Sequence, residues 1–281
     1  MDYYLDFLGL RTVLRTPGEI TISRKLTAFL CEPHTESDCL ITVQSVDALP
    51  PMAEQGVWHG LEYYDGYADA MRIFHCHTAG GTAFAVTTVF GTGDAEISVL
   101  PEYLSYFSGS AGIFNRISTE TLLLQHRGLL LHASLIKYAG KAIAFTGPSG
   151  VGKSTQADLW KQHYAAQIIN GDRAVLRMGA DGWNAYGSPY AGTSGIYKNE
   201  SAPLTAIILL EQAKENSLQP LTEAEAFRMI YPELTMHRWD RAFVERATDL
   251  CLQLLQQVPV YRLACLPTES AVQLVKKGLG L

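Results

Sequence analysis

The sequence predicts an α/β protein in which a strand-rich N-terminal part precedes a C-terminal part built on a mixed β-sheet. Three observations predict it. Residues 147–154 read G-P-S-G-V-G-K-S, which satisfies every fixed position of the phosphate-binding loop pattern G-x-x-x-x-G-K-[ST]. That loop follows an apolar run, 141–146 (K-A-I-A-F-T), and precedes 154–164, a stretch without Gly or Pro that suits a helix. Turn signals stand on both sides of it, at Tyr138-Ala139-Gly140 and at Ala180-Asp181-Gly182. They are too short for crossover helices, so the strands they join pair antiparallel and the sheet is mixed.

Taken in order, residues 1 to about 110 read as short extended segments. Residues 18–22 (G-E-I-T-I) alternate, and 82–90 is β-branched and aromatic. Gly80-Gly81 and Gly91-Thr92-Gly93-Asp94 look like hairpin turns. A Gly/Ser cluster at 108–112 marks a boundary, which gives a β-rich accessory domain over 1–115 and a second domain over 116–281. A helix is expected over 116–126, closed by Arg127 and Gly128. Strands follow at 129–136, 141–146, 167–170, 174–178 and 183–187, and another at 205–210 ends at Glu211. Thr222 with Glu225 forms a capping box that opens a helix stopping before Pro232. Residues 240–257 put Phe243, Ala247, Leu250, Cys251 and Leu254 on one helical face. A strand near 258–264 and a helix over 268–277 close the chain.

Composition narrows the class. A chain of 281 residues has room for one large or two modest domains, and 47% hydrophobic with 18% charged residues describes an ordinary globular protein. A net charge of −6 argues against a nucleic acid or an anionic membrane held by bulk electrostatics, so phosphate binding has to come from a local site. The first residues lack the basic-then-apolar pattern of a secretory signal, and no apolar run approaches the ~20 residues of a membrane span. The five cysteines are scattered and odd in number, which suits reduced thiols. The expectation is a cytoplasmic protein.

The loop pattern encodes a physical device. Gly147, Pro148, Ser149, Gly150, Val151, Gly152, Lys153, Ser154 and Thr155 are the expected nucleotide contacts. Glycines let successive N–H groups face one anion, and the helix N-terminus adds its partial positive charge. Lys153 reaches the outer phosphates and the Ser154 hydroxyl completes a magnesium shell. Phosphoryl transfer also needs a carboxylate, and Asp172, in the turn Asn170-Gly171-Asp172-Arg173, is the candidate base or magnesium ligand. A turn aspartate that serves only its own backbone is the alternative. His132, on the face opposite Leu131 and Ala133, either contacts phosphate and acceptor or is a satisfied core histidine. Arg173 reads equally well as a partner of Asp172 or phosphate and as a surface residue, whereas Glu211, which could reach the metal or nucleotide, reads better as a strand-end charge leaving the core. The small-residue segment 187–199 reads as a loop that closes over the acceptor, the alternative being a long surface connection. Cys31, His34, Cys39 and His75-Cys76-His77 match no standard zinc spacing.

Together, His132-Ala133-Ser134, the hairpin, G-P-S-G-V-G-K-S-T and the strand ending N-G-D-R resemble the catalytic domain of HPr kinase/phosphorylase and its relatives. The segment from Gly187 to Asn199 and Ala202-Pro203-Leu204 is similar to that of HPr-kinase-like proteins, some of which sit in peptide natural-product pathways. The resemblance spans roughly 118–281. It implies the mixed-sheet P-loop kinase domain of HPr kinase/phosphoenolpyruvate carboxykinase type, ATP and Mg2+ as cofactors, Asp172 as base, His132 as the histidine ahead of the loop strand, and self-association. One departure stands out. The resembled kinases carry two adjacent aspartates after this strand, whereas Gly171 precedes Asp172 here, which argues against the reverse phosphorylase reaction and against HPr as the substrate.

The expected function is Mg-ATP-dependent transfer of a phosphoryl group to a hydroxyl, serine first, on a protein, peptide or small molecule. The alternatives are a non-catalytic ATP-binding regulatory module and a carboxykinase-like enzyme of small organic acids. The last needs basic residues gripping a carboxylate, and only Lys198 and Arg173 offer themselves.

Overall fold

The first part of the chain forms one mixed sheet. The computed structural model describes residues 1–59, 63–68, 71–77 and 81–281. The strands are β1 (Asp2–Phe7), β2 (Leu10–Arg15), β3 (Cys39–Ser45), β4 (Gln55–His59), β5 (Tyr63–Ala68), β6 (Met71–His77), β7 (Ala83–Val89) and β8 (Ala95–Val99). They lie in the order β1-β2-β3-β8-β7-β6-β5-β4. β2, β3 and β8 run parallel to their neighbours in that trio, and the other pairs are antiparallel. Along β3, Cys39, Ile41 and Val43 are buried while the residues between them are not, as a half-covered strand requires. Three short helices, α1 (Arg24–Thr27), α2 (Ser110–Phe114) and α3 (Thr119–Gln125), accompany the sheet.

The chain divides into two compact units, Met1–His126 with His237–Phe243, and Arg127–Met236 with Val244–Leu281. The division falls after α3, not at the Gly/Ser cluster where composition placed it. That cluster is no linker. Ser110 N donates to Thr21 O, and Ile113 and Phe114 are buried, so α2 packs as part of the first unit. Residues 18–22 do not form the expected strand either. Thr21 makes a single bridge to Gly109, and Ile20 N donates to the Tyr3 hydroxyl instead of to a neighbouring strand. The 83–89 strand and the 91–94 turn stand as read, while Gly80 lies outside the described residues.

The segment His237–Phe243 belongs to the first unit through a buried ionic network. Arg72 grips Asp65 with two hydrogen bonds of 3.1 and 3.0 Å and reaches Asp240 at 2.6 Å. His237 bridges Asp65 at 3.2 Å and Glu120 at 2.9 Å. Burial alone would lower the His237 pKa, but its hydrogen bonds to Asp65 and Glu120 prevail and raise it.

In the second unit the strands are β9 (Gly128–Tyr138), β10 (Lys141–Thr146), β11 (Gln167–Asn170), β12 (Arg173–Gly179), β13 (Gly182–Tyr186), β14 (Ser201–Gln212), β15 (Ser217–Pro220) and β16 (Val260–Cys265). Two long strands organise them. β9 pairs with β12 through residues 128–132 and with β10 through 133–138. β14 pairs with β13 through Ser201–Pro203, then runs parallel to β10 and β16. Both hairpins read from the turn signals are present, so the sheet is mixed as expected. The helices are α4 (Lys153–Tyr164), α5 (Glu223–Ile230), α6 (Arg241–Gln257) and α7 (Glu269–Gly278). Trp160 of α4 and Val272 and Val275 of α7 pack on Ile136, Ile143, Phe145 and Ile208, all fully or nearly fully buried. Ala144, Ile207 and Leu209, which alternate with those positions, are buried too, so the central strands are covered on both faces.

Candidate functional site

All of the expected site residues lie in the second unit. The loop 147–152 leaves β10 and enters α4, with Gly147, Gly150 and Gly152 at φ of +133°, +80° and +113°. Side chains rarely adopt such values, so these glycines are conformational requirements of the turn. Gly152 is the N-cap of α4 and contributes no side-chain cap, which leaves the first helical N–H groups to outside acceptors. Pro148, Ser149, Gly150, Ser154 and Thr155 are exposed, whereas Lys153 is buried. The Lys153 ammonium donates to the carbonyls of Gly147 at 2.7 Å and Pro148 at 3.2 Å, drawing the start of the loop toward the start of the helix. Burial pushes its pKa below the usual lysine value, while Glu233 and Asp172 pull it upward.

The strand order explains how the other residues meet the loop. β9 lies between β10 and β12, so Ala133 pairs with Thr146 on one side and His132 pairs with Arg173 on the other. The Thr146 hydroxyl donates to His132 O at 2.9 Å, and Ala133 N donates to Asp172 O at 3.0 Å. Antiparallel pairing thus carries the loop, His132 and Asp172 together beside the middle of β9. Leu131 and Ala133 are fully buried while the His132 side chain is 37% exposed, so alternation turns it out of the core as read. Its Nε2 stands 3.4 Å from Asp172 Oδ1 and its Nδ1 stands 3.7 Å from Glu233 Oε2. Burial first, then Lys153, holds the imidazole below its ordinary pKa, against the pull of Asp172 and Glu233. Asp172 Oδ2 is 3.7 Å from Arg173 Nε, and Arg173 also donates to the Thr235 hydroxyl.

Glu233 was not anticipated. It sits in the 3-10 turn Tyr231–Glu233 that follows α5, and a bridge between Leu131 and Leu234 ties this turn to β9 beside His132. The only signal for it in the sequence is the capping box and the Pro232 stop, which locate the turn but not what it faces. Asn170 was likewise passed over as a turn residue. The segment 187–199 is mostly irregular, with one 3-10 turn at Gly192–Ser194, and borders a cavity of about 300 Å³ that also takes in Ser154 and Asp158 of α4. Glu211 is exposed and 4.0 Å from Arg262, a strand-end charge leaving the core.

The residues fit a magnesium nucleotide in kind. Loop N–H groups, a lysine and an exposed serine hydroxyl suit phosphates, and Mg2+ ordinarily takes one or two carboxylates with waters and phosphate oxygens instead of a closed protein cage. Among the described residues no group of three or more His, Cys, Asp or Glu side chains is placed to hold a metal ion. Cys31 is exposed and Cys39 buried, and the side chains of His75, Cys76 and His77 lie outside what the structure describes. Among the described residues no helix is long and apolar enough to cross a membrane.

The fold is mixed α/β with two mixed sheets, the second carrying a glycine loop between strand and helix. The chain belongs to the family described as SynChlorMet cassette protein ScmC, whose model matches residues 117–267, more than half of its length. No curated protein matches it. Among solved structures it is similar to the Hpr(Ser) kinase/phosphatase from Coxiella burnetii, at 10% identity and a TM-score of 0.32, over 53% of this chain and 95% of that one.

Proposed function

We propose that the chain is a Mg-ATP-dependent kinase that transfers the γ-phosphoryl group to a hydroxyl, serine first, on a protein, peptide or small molecule. The observation that carries this reading is the meeting of a lysine-bearing glycine loop with Asp172 and His132 beside the middle of β9. Lys153 offsets charge on the transferred group, and Ser154 would hold the magnesium, which supplies further charge neutralisation when bound. Asp172 accepts the acceptor hydroxyl's proton as the new P–O bond forms and the bond to ADP breaks. His132, 3.4 Å from Asp172, orients that carboxylate and stays largely neutral at pH 7, because burial and Lys153 depress its pKa.

The test is phosphate transfer from labelled ATP with Mg2+, offering free serine, HPr and peptides encoded beside this chain. Asp172→Asn is expected to lower transfer by about 100-fold or more, the range of a lost general base. Full transferase activity in Lys153→Ala sinks the assignment. Tight ATP binding with no transfer to any acceptor favours the regulatory-module reading.

A further inference from the structure

Asn170 is fully buried, and both ends of its carboxamide are used. Its Oδ1 accepts from Asp172 N at 2.8 Å and Arg173 N at 2.7 Å, which shapes the turn that presents Asp172. Its Nδ2 donates to Ser188 O at 2.9 Å, Tyr190 O at 3.1 Å and Ser188 Oγ at 3.2 Å. One side chain therefore joins the Asp172 turn to the segment 188–197. A buried amide satisfied at both ends is a rigid link, because freeing either end strands polar atoms away from water.

The segment is docked by its backbone as well. Asn170 bridges Tyr197, Gly171 N donates to Ile196 O at 3.3 Å, and the fully buried Ser188 donates to Arg173 O at 2.8 Å. Two glycines mark how close the approach is. A Cβ on Gly192 would fall 2.6 Å from Asp172 Cγ, and one on Gly171 would occupy the place of the Ser194 hydroxymethyl group. The segment thus packs directly against the Asp172 carboxyl group and walls one side of the cavity next to Ser154.

We propose that Asn170 is a positioning residue that clasps segment 188–197 to the Asp172 turn, making it a fixed wall that sets the Asp172 carboxylate and not a lid that opens over the acceptor. What Asp172 does once positioned rests on the kinase reading; the clasp itself does not.

Hydrogen exchange on the full chain tests the clasp. Asn170→Asp keeps the oxygen that accepts from Asp172 and Arg173 but turns a second oxygen toward the Ser188 and Tyr190 carbonyls. Ser188→Ala removes the hydroxyl that accepts from Asn170 Nδ2 and donates to Arg173 O, so it decides the matter if Asn170→Asp does not fold. In both variants the Tyr190 and Ile196 amides are expected to exchange about ten-fold faster or more, while β9 and β10 amides keep their rates. Unchanged exchange at Tyr190 and Ile196 overturns the clasp. The positioning role is read from steady-state ATP turnover, where kcat is expected to fall about ten-fold with the KM for ATP within about two-fold of wild type. Faster exchange with an unaltered kcat overturns the positioning role. Wild-type protein that turns over no ATP with any of the acceptors named above counts against the kinase reading, and the exchange comparison still decides the clasp.

Discussion

Gly152 holds φ at +113° at the point where the loop becomes α4, and a Cβ there would meet nothing within 4 Å. Its requirement is therefore conformational and not steric. Gly152→Ala is expected to cost about 1–3 kcal/mol of strain, read as a lower urea midpoint, together with weaker ATP binding as the loop N–H groups lose their alignment. A variant as stable as wild type would show that the loop relaxes without cost. At this scale the sequence was informative where a pattern fixes spacing. The glycine loop, Lys153, Asp172 and the outward turn of His132 could all be read before the fold was known. Glu233 and Asn170 could not. Glu233 reaches His132 only because the turn after α5 is bridged to β9, and Asn170 matters through a buried carboxamide whose partners lie in a different segment.

Among the elements, α5 depends on its cap. Thr222 Oγ1 accepts from Glu225 N at 3.4 Å while Glu225 Oε2 accepts from Thr222 N at 2.9 Å, so two otherwise unpartnered donors are served reciprocally. Thr222→Ala is expected to lower stability by about 1 kcal/mol in chemical denaturation, and Thr222→Ser to retain most of it. An unaltered midpoint in Thr222→Ala would mean that tertiary packing alone holds the helix. Elements with strong local signals, such as this helix and the β9–β10 hairpin, follow directly from the sequence. Those without such signals do not. Ser217–Pro220 was missed because a four-residue strand ending in Pro carries no periodicity and pairs only at the sheet edge. Residues 108–112 misled in the other direction, since Gly and Ser suggest a linker while burial of Ile113 and Phe114 outweighs that propensity.

For the whole molecule, the network around His237 ties stability to pH. The groups facing its imidazole are Asp65 and Glu120, with Ser118 accepting or donating at 2.9 Å; Arg72, Asp240 and His59 surround the same carboxylate, Asp65. A histidine whose folded pKa is raised stabilises the fold fully below its unfolded value, near 6.5, and loses that contribution as pH climbs through the folded value. The urea midpoint is therefore expected to decline as pH rises above about 6.5, and His237→Gln to flatten that decline. An equally steep decline in the variant would assign it to other groups. The same segment has a consequence for how the protein can be divided. The chain passes from one unit to the other after His126, after Met236 and again after Phe243, so no single cut yields two self-contained pieces. A fragment beginning at Arg127 would carry His237 and Asp240 without Asp65, Arg72 or Glu120, and would expose charges that the intact chain neutralises. The family match at 117–267 takes in α3 and this returning segment along with most of the second unit. The matched region therefore coincides with neither compact unit, and a transplant of it alone would carry Glu120, His237 and Asp240 without Asp65 or Arg72.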